Sequence, residues 1–127
     1  MNIKKKLGLF VAVLIGTVFI TRVLTYYTDL DLFIFGYELH HFYYGVVLLL
    51  LLNITLLFGG AHPKVYTVLS AFAIGLVSDE FLFIMGGFRN NEYPSTLTHS
   101  IFITLSILTL LAIVFLEAHP RYFKTKS

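Results

Sequence analysis

Four long apolar segments alternate with short polar connections along the chain. They cover about residues 7–26, 41–58, 65–85 and 97–116. Each has close to the roughly 20 apolar residues that a helix needs to cross the hydrocarbon core of a membrane. The apolar runs are continuous and do not alternate with polar residues, which favours helices over the strands of a barrel. The pattern therefore predicts an all-α integral membrane protein with four transmembrane helices in two hairpins.

The connections contain residues that commonly end or begin helices. His62-Pro63-Lys64 forms a tight link between the second and third segments, where proline suits a helix start. Gly86-Gly87 ends the third segment and precedes a polar turn at 89–94. The longest connection contains an apolar run at 32–35. We expect this run to lie at the membrane interface as a short re-entrant or surface piece.

The charged residues divide unequally between the two sides of the predicted bundle. One side holds most of the basic residues, namely Lys4, Lys5, Lys6, Lys64, Arg121, Lys124 and Lys126. On the other side two arginines are offset by four acids, namely Arg22, Arg89, Asp29, Asp31, Glu38 and Glu92. Because Lys and Arg in short loops favour the cytoplasmic side, we predict that both termini are cytoplasmic.

The composition narrows the class of protein. Of the 127 residues, 57% are hydrophobic and 13% are charged, whereas a soluble domain carries about 25% charged residues. These values exclude a soluble globular enzyme, a disordered tail and a nucleic-acid-binding protein. The absence of cysteine excludes disulfides, thiolate catalysis and cysteine-based metal centres. The whole chain, residues 1–127, is therefore predicted to form one membrane domain whose surroundings are the lipid bilayer.

The two halves of the chain share a common frame. His41 opens the second segment and Ala61-His62-Pro63-Lys64 closes it; His99 opens the fourth and Ala118-His119-Pro120-Arg121 closes it. The frame indicates duplication of a two-helix hairpin as a parallel internal repeat. Chance similarity in an apolar sequence of low diversity is the alternative interpretation.

The strongest chemical signal is the pair of acids Asp79 and Glu80 inside the third segment. They lie about 9 Å from its outer end, at 1.5 Å per residue. A charge in a spanning helix costs at least a few kcal/mol, so such residues face the bundle interior and commonly mark a site. Adjacent residues on a helix point about 100° apart, so the two acids need not share a partner. The alternative is a protonated acid that only bonds a neighbouring helix.

Histidines gather at the same predicted depth as these acids. In the four-span topology His40 and His41 open the second helix and His99 opens the fourth. Imidazole and carboxylate groups are suitable ligands for zinc, iron or manganese. We therefore predict a divalent-metal site in which the ligands are His41, Asp79, Glu80 and His99, oriented by Glu38, His40 and Tyr44. In the alternative interpretation, Tyr and His form a belt at headgroup depth.

Two family resemblances involve these motifs. The strings His40-His41-Phe42-Tyr43-Tyr44-Gly45 and Gly75-Leu76-Val77-Ser78-Asp79-Glu80 resemble those of small, uncharacterised prokaryotic multi-pass membrane proteins, over roughly residues 38–100. That resemblance implies a prokaryotic plasma membrane and no established activity. Thr98-His99-Ser100, following Asp79-Glu80, is similar to a motif of membrane-bound metal-dependent hydrolases. The His-Arg-Gly and Asp-x-Asp-His motifs of that family are missing, and Pro94-Ser95-Thr96 stands in place of the first.

Three functions follow from this pattern as hypotheses. The first is a metal-dependent hydrolase in which Asp79 and Glu80 are catalytic and a metal-bound water attacks a lipid-linked substrate. The second is a proton- or cation-linked transport subunit in a homo-oligomer, in which one of the two acids takes up the ion. The third is an assembly or scaffold protein whose polar residues serve helix packing.

Overall fold

A computed structural model describes residues 2–28, 32–35, 37–59, 62–86 and 96–118; the side chains of residues 32, 33, 37, 38 and 116–118 are not described. The fold is all-α apart from one small hairpin. Its helices are α1 (Ile3–Tyr27), α2 (His41–Leu57), α3 (Pro63–Gly86) and α4 (Leu97–Ala118). Two strands, β1 (Leu32–Ile34) and β2 (Tyr37–Leu39), lie between α1 and α2.

All four predicted helices are present, and most of their ends lie within two residues of the predicted positions. The exception is the start of α1, which begins at Ile3, so the three lysines that follow belong to its first turns. By length and composition, α1, α3 and α4 are long and apolar enough to cross a membrane. With 17 residues, α2 is equally apolar but shorter, at about 26 Å.

The connection between α1 and α2 contains a β-hairpin, whose first strand and turn use the apolar run at 32–35. β1 and β2 pair antiparallel, with Leu32 opposite Leu39 and Ile34 opposite Tyr37. Phe35 follows β1 with a φ of 53°, which is an uncommon backbone conformation for a residue other than glycine. The hairpin leads directly into His40, the extended residue that precedes α2.

α3 is the central helix of the bundle and packs against each of the other three. Small residues make two of these contacts close. A Cβ on Gly45 would lie 2.7 Å from the carbonyl oxygen of Ala73, and one on Gly75 would lie 2.7 Å from Cβ of Thr17. The backbones of α2 and α3, and of α3 and α1, therefore approach to a distance that only glycine permits.

The helices alternate in direction, which gives the bundle two distinct ends. The end of α1, the start of α2, the end of α3 and the start of α4 meet at one end, which we name the cluster end. The start of α1, the start of α3 and the end of α4 meet at the other, which we name the lysine end. Towards the cluster end, α4 and the residue directly before it bury three small polar side chains spaced by four positions, namely Thr96, Ser100 and Thr104.

Glycine substitutions test the close helix contacts. Gly45→Ala and Gly75→Ala should each lower the free energy of unfolding by about 1–3 kcal/mol, because the added methyl group meets atoms of the facing helix. Gly16→Ala is the matched control, since nothing lies within 4 Å of its added Cβ. It should leave stability unchanged or raise it by up to about 1 kcal/mol. Thermal unfolding in detergent, followed by circular dichroism, measures all three; an unaltered midpoint for Gly45→Ala would contradict this packing.

Candidate functional site

The site is built around an ion pair between α1 and α3. Nε of Arg22 donates to Oδ1 of Asp79, and an Nη of the same guanidinium donates to the Asp79 carbonyl oxygen at 2.9 Å. The Asp79 carboxylate is fully buried and the Arg22 side chain is 11% exposed. Thr21, one residue before the arginine, lies 3.1 Å from the other carboxylate oxygen. Two adjacent residues of α1 therefore bind one acid of α3.

Helix α4 completes the surroundings of the guanidinium with two hydroxyl groups. Arg22 donates to Oγ1 of Thr96 at 3.2 Å and to Oγ of Ser100. Ser100 in turn donates to the Asp79 carbonyl oxygen. Because Thr96 and Ser100 are four residues apart, they lie on one face of α4, and both are buried. These hydrogen bonds join α4 to α1 and α3 at the cluster end.

Helix α2 contributes a histidine that lies between the two acids. Nε2 of His41 is 3.0 Å from Oδ2 of Asp79, and Nδ1 of the same ring is 3.2 Å from Oε1 of Glu80. The other oxygen of Glu80 accepts a hydrogen bond from the backbone N–H of Phe42 at 2.9 Å. His40 lies 3.4 Å from Oε1 of Glu80. We refer to Arg22, His40, His41, Asp79 and Glu80 together as the charged cluster.

A small polar cavity of about 90 Å³ lies next to the charged cluster. His41, Glu80 and Tyr44 line it, together with the α1 residues Thr21 and Thr25. A volume of this size holds a few water molecules, and its hydroxyl, imidazole and carboxylate groups supply the partners that buried water requires. The cavity thus gives water a place beside His41 and Glu80.

The structure brings together four of the seven residues that were predicted for the site: His40, His41, Asp79 and Glu80. Arg22 binds Asp79 and the N–H of Phe42 binds Glu80, as the 100° separation of the two acids permits, while His41 lies beside both. Tyr44 is 40% exposed and contributes to the small cavity. The side chain of Glu38 lies outside the described residues, although its backbone belongs to β2.

His99, the fourth predicted metal ligand, occupies a different position. Its side chain is exposed at the start of α4, whereas the next residue, Ser100, is buried against Arg22 and Asp79. A difference of one residue turns a helical side chain by about 100°. The face of α4 that meets the cluster therefore carries hydroxyl groups and not an imidazole.

The arrangement favours an ion pair over the predicted metal centre. Within the described residues, no group of three or more His, Asp or Glu side chains is placed to hold a metal ion. The Asp79 carboxylate already accepts hydrogen bonds from Arg22 and Thr21 and lies beside His41. A divalent cation at these oxygens would lie beside a guanidinium and would have to replace its hydrogen bonds.

Arg22 is the residue that sequence reasoning missed, since it entered only the count of charges that flank the spans. Its signal is nevertheless present: an arginine inside the segment predicted as the first span requires a buried partner. The hydroxyls of Thr21, Thr96 and Ser100 give no comparable signal, because such residues are common in membrane helices.

No protein-family model, curated protein or solved structure matches the chain. The resemblances noted in the sequence therefore remain predictions, and the site is interpreted from its own geometry.

Removing the guanidinium tests the central ion pair. Arg22→Gln should lower the free energy of unfolding by about 3–5 kcal/mol, because it leaves the buried carboxylate of Asp79 without its positive partner. Adding Asp79→Asn to this variant should recover a large part of the loss, since the uncompensated charge is then removed. Lys64→Gln is the control for loss of an exposed positive charge. Equal unfolding midpoints for Arg22→Gln and Lys64→Gln would contradict the pairing.

Proposed function

We propose that the chain is a four-span membrane protein with both termini on the cytoplasmic side, and that its cluster end faces outward. Three helices are long and apolar enough to span, and α2, which connects two of them in the chain, packs against α3 in a bundle whose helices alternate in direction. Many of the large apolar side chains on all four helices are exposed, as a lipid environment requires. Lys4, Lys5, Lys6 and Lys64 all belong to the lysine end, which supports a cytoplasmic position for that end.

We further propose that the charged cluster binds and releases one proton, and that copies of this chain form a proton-linked transport assembly. The observation that carries this proposal is the position of the His41 ring, which has one nitrogen near each carboxylate. A neutral imidazole has a single N–H and can donate to only one acceptor. Nε2 of His41 is hydrogen-bonded to Asp79, and for Nδ1 to be bonded to Glu80 at 3.2 Å as well, one additional proton is required, on the ring or on one of the acids.

The net charge of the cluster independently indicates that it binds one additional proton. With Asp79 and Glu80 ionised and both histidines neutral, the single positive charge of Arg22 leaves the cluster with a net charge of −1. One added proton makes the net charge zero. In apolar surroundings an uncompensated charge costs several kcal/mol. The burial of both acids therefore favours occupancy by that proton.

The surroundings of the cluster would allow the proton to exchange with water at the cluster end of the bundle. The polar cavity lined by His41, Glu80 and Tyr44 offers water access to the shared proton. Nearer the lysine end, by contrast, the polar side chains bond the backbone of their own helices, as Asn53, Thr67 and Thr109 do. A path to the cytoplasmic face would thus be formed between copies of the chain, which is why the proposal includes an oligomer.

The metal-dependent hydrolase remains a hypothesis with less support, because Arg22 occupies the carboxylate that would have to bind the metal. An assembly role would use the same hydrogen bonds only to join the helices. The proton-linked function differs from both in requiring that His41 titrate together with its acid partners.

Titration of the histidines tests proton binding. In protein labelled with ¹⁵N-histidine and reconstituted in nanodiscs, both ring nitrogens of His41 should report one common transition with pH. Glu80→Gln should displace or abolish this transition, because it removes one of the two acceptors. His62→Gln is the control, since it removes an exposed histidine outside the cluster. A His41 transition that is unaffected by Glu80→Gln would contradict a shared proton.

Proton flux tests the transport role separately. Proteoliposomes that contain the chain and a trapped pH-sensitive dye should dissipate an imposed pH gradient faster than empty liposomes. The increase should disappear in Glu80→Gln and persist in His62→Gln. Wild-type liposomes with no flux above background would contradict transport and favour the assembly role.

Elemental mass spectrometry of the same samples would reveal a stoichiometric metal if the hydrolase hypothesis were correct.

A further inference from the structure

A second cavity lies at the lysine end, on the opposite side of the molecule from the charged cluster. It has a volume of about 350 Å³ and lies between the start of α1, the start of α3 and the end of α4. Its walls are mainly apolar, with Phe10, Leu111 and Val114 among them, and Lys6 and Ser70 also line it. This volume lies in the range of about 300–1,000 Å³ that is typical of small-molecule sites.

Positive charge is concentrated around this cavity. Lys4, Lys5 and Lys6 lie in the first turns of α1, and Lys64 lies in the first turn of α3. Neither of these helices has an acidic residue in its first turn. Glu117, whose side chain lies outside the described residues, is the acid that α4 brings to this end in its last turn. In the helix turns that the structure describes at this end, four positive charges thus stand against one negative charge.

Lys6 links the charge to the apolar cavity. Lys4 and Lys5 are exposed, whereas Lys6 is half-buried and forms part of the wall. The aliphatic part of a lysine side chain commonly covers apolar surface while its ammonium group stays at the polar edge. An occupant of the cavity would therefore meet apolar walls along its length and a cation at one end.

We propose that this cavity binds one anionic phospholipid, with an acyl chain against the apolar walls and the phosphate beside Lys6. Both parts of such a lipid match the cavity, the chain by its apolar character and the headgroup by its charge. Basic residues next to a spanning helix attract anionic lipids by about 1 kcal/mol each. A second copy of the chain is a less suitable occupant, because it would bring the same lysines to the same surface. The inference rests on the membrane placement proposed above and not on proton binding.

Native mass spectrometry of the full chain in detergent tests the proposal. Added phosphatidylglycerol should be retained at one molecule per chain and several-fold more strongly than phosphatidylcholine with identical acyl chains. Lys6→Gln should reduce retention of phosphatidylglycerol about fivefold, as expected for one lysine at the phosphate. Lys5→Gln removes the same charge from an exposed neighbour and should reduce it by less than about twofold.

A cavity-filling variant tests the apolar part of the site. Val114→Phe adds volume from an exposed position on the wall, so the fold should tolerate it. It should lower retention of phosphatidylglycerol with every lysine still present. Equal retention of the two lipids, equal effects of Lys6→Gln and Lys5→Gln, or full retention in Val114→Phe would each overturn the proposal. A dimer that excludes the lipid would overturn it as well and would identify a second copy as the occupant.

The lipid site and the proton site can fail independently. Lipid retention is measured at one pH in detergent, and it does not depend on His41 or Glu80. Proton flux is measured in vesicles and depends on those two residues. Retention without flux would overturn the transport role alone, and flux without selective retention would overturn the lipid site alone.

Discussion

The ion pair between Arg22 and Asp79 is the constraint on which the arrangement of the helices depends. A guanidinium and a carboxylate withdrawn from water are tolerated only when they pair with each other and when their remaining hydrogen-bonding groups find partners. α1 and α3 supply the two charges, and α4 supplies the hydroxyls of Thr96 and Ser100. The need of the buried guanidinium for hydrogen-bond acceptors therefore accounts both for the polar face of α4 and for its position beside Arg22.

The second acid extends the same requirement to α2. Glu80 is buried next to Asp79, so its charge also needs compensation. That compensation comes from the two histidines at the start of α2 and from the N–H of Phe42, a backbone group at a helix start that has no partner within the helix. The approach of α2 is close because Gly45 lies directly against α3. A helix with a larger residue at that position would hold the imidazole of His41 farther from both acids.

The sequence predicts some parts of this structure well and others poorly, for physical reasons. Apolar runs of helical length are strong signals, so the helices and the buried acids could be predicted. The hairpin could not, because a continuous apolar run at 32–35 shows no alternation and its turn uses Phe35 in a conformation that usually indicates glycine. Which residues pair with the acids depends on how each neighbouring helix is rotated about its own axis. The spacing of residues within one helix does not reveal that rotation. His99 and Ser100 illustrate this, since one residue separates an exposed side chain from a buried one.

Because the cluster lies in low-dielectric surroundings, its electrostatic interactions are sensitive to the position of the neighbouring helices. Each hydrogen bond that joins α4 to Arg22 or Asp79 influences how strongly the guanidinium compensates the carboxylate. If α4 moved away, Arg22 would lose two acceptors, and its interaction with the Asp79 carboxylate would change. In the proton-binding role proposed above, the affinity of the cluster for its proton would change as well, and by thermodynamic reciprocity proton binding would favour one position of α4. The hydrogen bonds between α4 and the cluster would thus couple occupancy of the site to packing, which a purely apolar contact between the same helices would not do.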